Sequence, residues 1–310
     1  MDSQKHLVAK KKAQGFKYFL MIAPFLILVL LFAYYPLYGW IYSLYDYRPP
    51  LKLSQSEFVG LKWFKYLFSN TGQIKQLLQV LKNTFTMSSL MILTSGLPLI
   101  FAIFLNEIKA SKFKRIVQTL TTLPNFISWV LVYAVAFALF SNSGMVNSVL
   151  VDLGIVDQPI KILDSGDHTY LKMLLWSTWK GLGWGAILYL AAIAGTDQEL
   201  YEAAKVDGAN RFHLMRHITL PAMIPTYFVL LMLSIANFLN NGMDQYFVFQ
   251  NAFNKEQIQV LDLYVYNLGI GTSNSIPLAT AISVLKSLIS VTLLVSVNGL
   301  SKKVRDESII

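Results

Sequence analysis

Cysteine is absent from this chain of 310 residues, and charged residues are scarce. Without cysteine the chain can form no disulfide, no thiolate metal site and no cysteine nucleophile. Only 14% of the residues are charged and 55% are hydrophobic, whereas about a quarter of a soluble domain is charged. The composition therefore excludes an ordinary soluble domain and indicates a membrane protein.

Sequence motifs for catalysis and nucleotide binding are missing as well. The chain contains no phosphate loop of the pattern G-x-x-x-x-G-K-[ST] and no G-x-S-x-G nucleophile elbow. His213 and His217 lie four residues apart on a predicted helix, a spacing that can hold a metal ion. No third ligand is near in the sequence, and Arg211 and Arg216 make the surroundings electropositive. We therefore expect no catalytic residue, no metal site and no cofactor bound by this chain.

Long hydrophobic runs dominate what the chain does contain. An α-helix needs about 20 apolar residues to cross a bilayer core of about 30 Å. The predicted membrane domain covers residues 18–300, preceded by a basic segment at 1–17 and followed by a tail at 301–310. The sequence predicts an all-α polytopic protein with about six transmembrane helices, at residues 18–45, 80–105, 116–140, 171–195, 220–240 and 277–300. An amphipathic interfacial helix is expected within 46–79, and short structured pieces within 141–170 and 241–276.

Short basic clusters lie beside the predicted spans. The N-terminal lysines, the loop after the second span, the loop 196–221 and the residues after the last span hold the denser positive charge. The positive-inside rule places both termini and the loop 196–221 in the cytoplasm. The first outer loop is also basic, but long loops count for less under this rule. Membrane topology thus accounts for the net charge of +9, and we expect no nucleic-acid partner.

The loop between the fourth and fifth spans carries more structural signals than a simple connection needs. Thr196 and Glu199 have the spacing of a capping box at the start of a short helix. Gly208 permits a chain reversal with positive φ, and Asn210 can cap a second short helix. Pro221 is expected to end that second helix before the next apolar run. This pattern predicts a compact docking element.

The same loop carries a recognisable sequence pattern: Glu-Ala-Ala, three residues, Gly-Ala, and then Ile-x-Leu-Pro. It resembles the EAA loop of the permease subunits of binding-protein-dependent ABC importers. By that resemblance Glu202 and Asp207 make polar contacts with an ATPase, Ala203 and Ala204 allow close approach, and Gly208 sets the angle between the two short helices. The complete predicted coupling set is Glu202, Ala203, Ala204, Asp207, Gly208, Ala209, Ile218, Leu220 and Pro221.

The resemblance implies a type I ABC importer permease in a bacterial cytoplasmic membrane. Its expected partners are a second homologous permease, two ATPase subunits, an extracellular solute-binding lipoprotein, membrane lipid and a sugar substrate. ATP and Mg²⁺ are expected on the ATPase subunits, because this chain has no phosphate loop. The chain itself is then a transport subunit and not an enzyme.

The fourth predicted span is unusual in carrying glycine and lysine. Gly181, Gly183 and Gly185 fall inside this span and are expected to permit close helix packing. Lys180 lies about 13 Å along the helix from its start, at 1.5 Å per residue. A charge at that depth faces a cavity or a protein interior, so Lys180 is a candidate for contact with the substrate or with a neighbouring subunit. Lys286 is similarly deep in the last span.

Two further segments, 123–129 and 243–248, resemble the branch of the family that handles oligosaccharides and polysaccharide fragments. That resemblance implies a sugar or oligosaccharide substrate. Flat aromatic faces stack on sugar rings, and amides and carboxylates pair with hydroxyl groups. The candidate pathway residues are Phe126, Trp129, Tyr133, Trp176, Trp179, Lys180, Asn237, Asn240, Asn241 and Asp244.

Each pathway candidate also has a purely structural interpretation. Trp176 and Trp179 suit an interfacial aromatic belt, and the aromatic residues of the third span suit helix packing. The amides after the fifth span suit a helix cap or a bridge to a partner subunit. The sequence leaves these alternatives open.

Other kinds of membrane protein compete with a sugar permease. An ABC permease for another solute, such as a glycerol phosphodiester or a peptide, would share the same loop. A secondary transporter driven by an ion gradient would need buried carboxylates and inverted repeats, but the predicted spans are almost free of Asp and Glu. A membrane-bound enzyme is disfavoured because the chain shows no catalytic constellation.

Overall fold

The computed structural model describes residues 2–271 and 274–305, and these residues form an all-helical bundle without a named β-strand. The first eight α-helices are α1 (Asp2–Val29), α2 (Lys62–Ser69), α3 (Thr71–Leu93), α4 (Leu97–Asn106), α5 (Ser111–Thr122), α6 (Trp129–Phe140), α7 (Met145–Asp152) and α8 (Thr169–Ala194). The others are α9 (Gln198–Val206), α10 (Arg211–Leu214), α11 (Leu220–Ala236), α12 (Asp244–Phe249), α13 (Lys255–Ile258), α14 (Leu261–Gly269) and α15 (Ile276–Arg305).

Five helical stretches in the described part of the chain are long and apolar enough to cross a membrane, and they match five of the predicted spans. They are Gln14–Leu44, Thr71–Asn106, Trp129–Asp152, Arg211–Ala236 and Ile276–Lys303. The first continues α1 through a π-helical turn (Leu30–Tyr34) and a 3₁₀ segment (Tyr35–Leu44). The predicted span 171–195 is α8, whose 26 residues are long enough to span but include Lys172 and Lys180.

The predicted third span at 116–140 is wrong in its bounds. α5 ends at Thr122, a 3₁₀ turn covers Leu123–Phe126, and α6 starts only at Trp129. Pro124 lies at the start of the 3₁₀ turn, where it has no N–H to continue the α-helical ladder. Ser128 then caps α6 by accepting a hydrogen bond from the N–H of Leu131 at 3.4 Å. Apolar helix therefore begins later and extends to Asp152.

The second predicted span also starts earlier than residue 80. Asn70 accepts the N–H of Gln73 at 3.0 Å and so caps α3, which then runs to Leu93. A turn at 94–96 separates it from α4. The predicted amphipathic helix within 46–79 is the eight-residue α2, whose Leu67 is buried.

Short helices fill both predicted structured outer segments, as expected. α7 lies in 141–170, and α12, α13 and α14 lie in 241–276. Asn83, fully buried on α3, holds this second region in place by donating to the carbonyl oxygens of Glu256 (2.7 Å) and Gln259 (3.0 Å). Tyr170 in turn donates to the Asn83 side-chain oxygen at 2.7 Å. A satisfied polar network of this kind fixes the outer segments against the long helices.

α8 is the central packing element of the bundle, lying against α4, α5 and α11. The predicted close packing around its glycines is confirmed at two of three positions. A Cβ placed on Gly183 would lie 2.3 Å from the backbone of Thr121, and one on Gly185 would lie 3.0 Å from Pro98. Gly181 has nothing within 4 Å and makes no such approach.

Helical structure extends beyond the predicted limits of the membrane domain. α1 already begins at Asp2, within the basic segment predicted at 1–17. α15 continues to Arg305, past the predicted end of the last span at residue 300. The remaining tail, residues 306–310, lies outside the described residues.

Candidate functional site

The loop 196–221 begins with a capped helix, but not with the predicted capping box. Asp197 is the N-cap of α9, and its carboxylate accepts the N–H of Glu199 at 2.9 Å. The Thr196 hydroxyl instead donates back to the carbonyl of Ala192 at 3.3 Å. Thr196 is therefore still bonded to the end of α8, and the cap falls one residue later than predicted. A carboxylate at this position also suits the helix dipole.

The turn that ends α9 has the hydrogen bonds of a Schellman motif. The N–H of Gly208 donates to Lys205 O at 3.1 Å, and the N–H of Ala209 donates to Ala204 O at 2.9 Å. Gly208 has a φ of +80°, as the sequence predicts for a reversal at this position. The turn thus sets the angle between α9 and α10 by backbone geometry alone.

The second short helix is capped as predicted, but Pro221 does not end it. Asn210 Oδ1 accepts the N–H of His213 at 3.0 Å and caps α10. The chain then passes through a π-helical turn, Met215–Thr219, straight into α11. Pro221 falls in the first turn of α11, where its missing N–H is tolerated. The loop is therefore joined to the fifth predicted span by continuous helix.

A hydrogen bond inside the loop 196–221 joins α9 to the π-helical turn before α11, since the hydroxyls of Tyr201 and Thr219 lie 3.0 Å apart. Leu214 and Thr219 are the buried side chains of this loop. Three apolar side chains of the loop remain exposed: Leu200 (54%), Val206 (88%) and Phe212 (62%). The sequence analysis missed these three residues, and their signal was large apolar side chains in an otherwise polar segment. Most of the predicted coupling residues, including Glu202, Ala203, Asp207 and Gly208, are exposed beside them.

A basic cavity of about 500 Å³ lies between this loop and the segment that follows α4. Its lining includes four cationic side chains, namely Lys109, Lys114, Lys205 and Arg211. Within the described part of the chain none of the four has a carboxylate within 4.0 Å. The inner side of the loop 196–221 is therefore electropositive.

Three of the predicted pathway aromatics pack together around Phe249 of α12. The ring centroids of Trp129, Tyr133 and Trp176 lie 6.5, 5.1 and 6.0 Å from that of Phe249. Buried Met87 and Val132 belong to the same cluster. These three aromatics pack into the core of the bundle in this structure, and their place on the substrate pathway stays a prediction.

The other aromatic candidates are exposed. Phe126 is 69% exposed and packs edge-to-face on Trp184, with centroids 5.6 Å apart. Trp179 is 44% exposed and Trp184 is 50% exposed. These rings present flat apolar surface outside the protein core, where a ligand or a second subunit can reach them.

Lys180 is held by its own chain. Its Nζ donates to the carbonyl oxygens of Pro124 at 3.1 Å and Asn125 at 2.8 Å, and lies 5.5 Å from the ring centroid of Trp129. These carbonyls belong to the 3₁₀ turn between α5 and α6, where the helical hydrogen bonds are interrupted. Pro124 O also accepts the N–H of Ile127 at 3.2 Å, so the acceptor that depends on Lys180 within the membrane domain is the carbonyl of Asn125.

Replacing Lys180 by methionine is therefore expected to destabilise the protein, by about 1–3 kcal/mol for the Asn125 carbonyl left unpaired. The arginine variant should retain most of the stability, because a guanidinium keeps both charge and donors. The apparent Tm of the detergent-solubilised protein measures this difference. Equal Tm values for wild type and Lys180→Met would show that the two carbonyl contacts contribute nothing.

Some hydrogen-bonding groups of the amides after α11 are already paired within the chain. Asn237 donates to Leu233 O at 2.9 Å, and Asn240 donates to Asn237 Oδ1 at 3.2 Å. Asn241 donates to Ser88 Oγ at 2.9 Å, while its own Oδ1 is buried and has no hydrogen-bond partner in the part of the chain that the structure describes. Asp244 is exposed in the first turn of α12. The group therefore keeps both donors and acceptors at the end of the fifth predicted span.

Gln245 connects α12 to α8, a role that the sequence did not reveal. Its amide donates to Met173 O at 2.7 Å and its oxygen accepts from Ser177 at 2.6 Å. Both partners lie on α8, so this buried side chain fixes α12 against that helix. No periodicity signal could identify it, because its partners are about 70 residues away in sequence.

His213 and His217 each contact an oxygen atom of the same loop. His213 Nδ1 lies 2.9 Å from Asn210 Oδ1, and His217 Nδ1 lies 3.1 Å from His213 O. In the described part of the chain no group of three His, Cys, Asp or Glu side chains could hold a metal ion.

A bundle of membrane-length helices with a braced, exposed loop before its fifth span defines a polytopic transport subunit. The chain belongs to the family of binding-protein-dependent transport system inner membrane components, which it matches over residues 95–306. It is therefore a transport component of the inner membrane.

Two curated relatives and one solved structure extend this match to nearly the whole chain. Protein LplB of Bacillus subtilis is 38% identical over 293 residues, covering 94% of this chain and 90% of LplB. The polygalacturonan/rhamnogalacturonan transport system permease protein YteP of Bacillus subtilis is 37% identical over 310 residues, covering 99% and 94%. A bacterial alginate ABC transporter, crystallised in complex with an alginate pentasaccharide-bound periplasmic protein, has a chain that superposes with a TM-score of 0.82 at 28% identity. That superposition covers 96% of this chain and 98% of the other.

Proposed function

We propose that this chain forms half of the translocation pathway of an ATP-driven importer for a sugar chain. Relatives named as permeases for polygalacturonan or rhamnogalacturonan and for arabinooligosaccharides support an oligosaccharide substrate. The likeness to the alginate transporter supports the same class. Separate ATPase subunits carry ATP and Mg²⁺, because this chain lacks a phosphate loop.

The observation that carries the proposal is the exposed, internally braced loop 196–221. Its apolar side chains Val206 and Phe212 are exposed beside Glu202. A loop that only joined helices would bury such side chains or lack them. An apolar centre with a polar rim is the usual composition of a protein interface. The Schellman turn at Gly208 holds the two short helices in one arrangement. A displacement of either helix is transmitted to α11, because α10 continues into α11 through the π-helical turn.

The remaining parts of the assembly follow from this placement. Both termini and the loop 196–221 lie in the cytoplasm, where the ATPase dimer contacts the loop. A second homologous permease supplies the other half of the pathway, and a solute-binding lipoprotein delivers the sugar from outside. The exposed rings of Phe126 and Trp179 offer stacking surface for a sugar. The exposed polar residues that follow α11, namely Asn237, Asn240 and Asp244, offer contacts to its hydroxyl groups.

The proposal is tested by co-purification of the ATPase with the tagged permease complex. We expect Glu202→Ala to weaken the association by at least about tenfold, because charged groups at interfaces commonly contribute that much. Glu199→Ala is the matched control, since Glu199 is also an exposed glutamate of α9. Equal recovery of the ATPase with both variants would count against docking at this loop, and ion-driven uptake in ATP-free vesicles would overturn the importer itself.

A further inference from the structure

A second polar cavity lies beside the last membrane helix, away from the loop 196–221. It has a volume of about 340 Å³, within the range of about 300 to 1,000 Å³ typical of ligand pockets. Val265 and Val291 supply apolar surface. The polar side chains that line it are Asn240, Asp262, Ser283, Lys286, Ser287 and Ser290.

Four of these side chains form a polar face on a membrane-spanning helix. Ser283, Lys286, Ser287 and Ser290 follow the spacing i, i+3, i+4, i+7 on α15, so they share one side of the helix. Lys286 lies about 15 Å along the helix from Ile276, at 1.5 Å per residue. Polar and charged groups at such depth face a cavity or a protein interior rather than lipid.

The two charges in the cavity neutralise each other. Lys286 Nζ forms an ion pair with Asp262 Oδ1, and the side chains are only 15% and 20% exposed. Asp262 Oδ2 also accepts the backbone N–H of Gly242 at 3.0 Å, in the turn between α11 and α12. The lining therefore has no net charge, and it offers both hydrogen-bond donors and acceptors.

One lining hydroxyl has no partner among the described residues. The Oγ of Ser290 is buried, and no hydrogen-bond partner lies within reach in the described structure. A buried polar atom without a partner is costly, and a hydroxylated ligand would satisfy it. Asn240, which also lines the cavity, belongs to the polar group after α11 that is proposed to meet the substrate.

We propose that this cavity is a subsite for one neutral sugar unit of the transported chain, selecting hydroxyl groups over a uronate carboxylate. The inference rests on the proposed sugar-import function and adds a site and a charge preference to it. A neutral hydroxyl group of the sugar hydrogen-bonds to the Asp262–Lys286 ion pair and to Ser290 while the ion pair stays intact. A carboxylate would instead have to displace Asp262 from Lys286 and leave a partly buried anion uncompensated.

The charge preference is tested with the complete importer in proteoliposomes. Uptake of a neutral oligosaccharide and of a uronate oligosaccharide of equal length is measured, and each rate is divided by the affinity of the isolated binding protein for that sugar. We expect the wild type to favour the neutral sugar. Asp262→Asn should shift the ratio toward the uronate by about tenfold, since Lys286 then remains unneutralised. The double variant Asp262→Asn/Lys286→Met should restore the neutral preference.

Asp46→Asn is the matched control, because Asp46 is also an ion-paired carboxylate, with Lys62 at 3.3 Å, but lies outside the cavity. The ratio of neutral-sugar uptake to uronate uptake in Asp46→Asn should equal that of the wild type. A wild type that favours the uronate, or a ratio unmoved by Asp262→Asn, would overturn the subsite. Uptake of neither sugar by the wild type would instead defeat the proposed function, which ATPase co-purification tests separately.

The unpartnered hydroxyl gives a second readout that does not disturb the ion pair. Ser290→Ala should raise the KM for the neutral sugar by about two- to tenfold, the effect of one lost hydrogen bond. Thr292→Val removes an exposed hydroxyl of the same helix and should leave KM unchanged. An unchanged KM in Ser290→Ala, or an equal rise of KM in Thr292→Val, would overturn the proposal.

Discussion

Replacing Gly208 by valine is expected to abolish sugar uptake while leaving the protein inserted in the membrane. Gly208 has a φ of +80°, a conformation in which a β-branched residue is strongly strained. A Cβ at this position would meet nothing within 4 Å, so the strain lies in the backbone and not in a clash. Relieving it opens the Schellman turn and changes the angle between α9 and α10. ATP hydrolysis should then continue without transport, or the ATPase should dissociate.

The matched control for this variant is Gly154→Val. Gly154, near the end of α7, has a φ of +65° and likewise has nothing within 4 Å of an added Cβ. The two substitutions thus impose similar backbone strain in different places, and only Gly208→Val should stop uptake. ATPase activity, uptake and membrane yield are measured side by side in the reconstituted complex. Normal uptake by Gly208→Val, or equal loss in both variants, would contradict a specific coupling role for this turn.

Hydropathy alone predicted where most membrane helices lie, because a long apolar run has no alternative to helix within lipid. The break at Leu123–Phe126 was missed, since Leu123 and Phe126 at its two ends fit an apolar run and Asn125 is a single polar residue within it. Pro124 was a local signal, but prolines also occur inside intact helices of this chain, as at Pro225. What distinguishes the break is Lys180, which supplies donors to its carbonyls from another helix. A contact between residues more than 50 positions apart leaves no local pattern.

The loop 196–221 was predictable in its residue types but not in its register. Gly208 and Asn210 have the roles that their side chains dictate, because positive φ and N-capping are local properties. The capping box at Thr196 was wrong, because α8 continues far enough to bond that hydroxyl to Ala192. Pro221 was misinterpreted for a related reason: proline suits the first turn of a helix as well as its end.

The candidate pathway shows the limit of composition-based reasoning. Trp129, Tyr133 and Trp176 were selected as flat rings in the membrane, and they prove to surround Phe249, a residue of an outer short helix. The ion pair between Asp262 and Lys286 likewise joins an outer helix to a span. Both arrangements depend on how the segment 241–276 folds back onto the bundle, and its short helices carry no periodic signal strong enough to predict that.

Gly183→Ala is expected to cause the largest loss of stability in the chain. A Cβ on Gly183 would lie 2.3 Å from the carbonyl carbon and oxygen of Thr121, and 2.6 Å from the nitrogen of Thr122. These are backbone atoms near the end of α5, so no side chain can rotate away, and α8 and α5 must separate. Close approach through small residues drives helix association in membranes, where lipid is as apolar as the side chains. Overpacking of about 1–3 kcal/mol should lower the apparent Tm by about 2–5 °C.

Gly181 supplies the control from the same helix. A Cβ there meets nothing within 4 Å, so Gly181→Ala should be neutral or should stabilise the helix by up to about 1 kcal/mol. Both variants are compared by the apparent Tm and by the fraction that remains monodisperse after heating in detergent. Since both exchange glycine for alanine in α8, any general effect of the substitution cancels. A Tm for Gly183→Ala equal to that of Gly181→Ala would mean that α5 and α8 are not held in backbone contact, and the fixed position of the turn that receives Lys180 would then need another explanation.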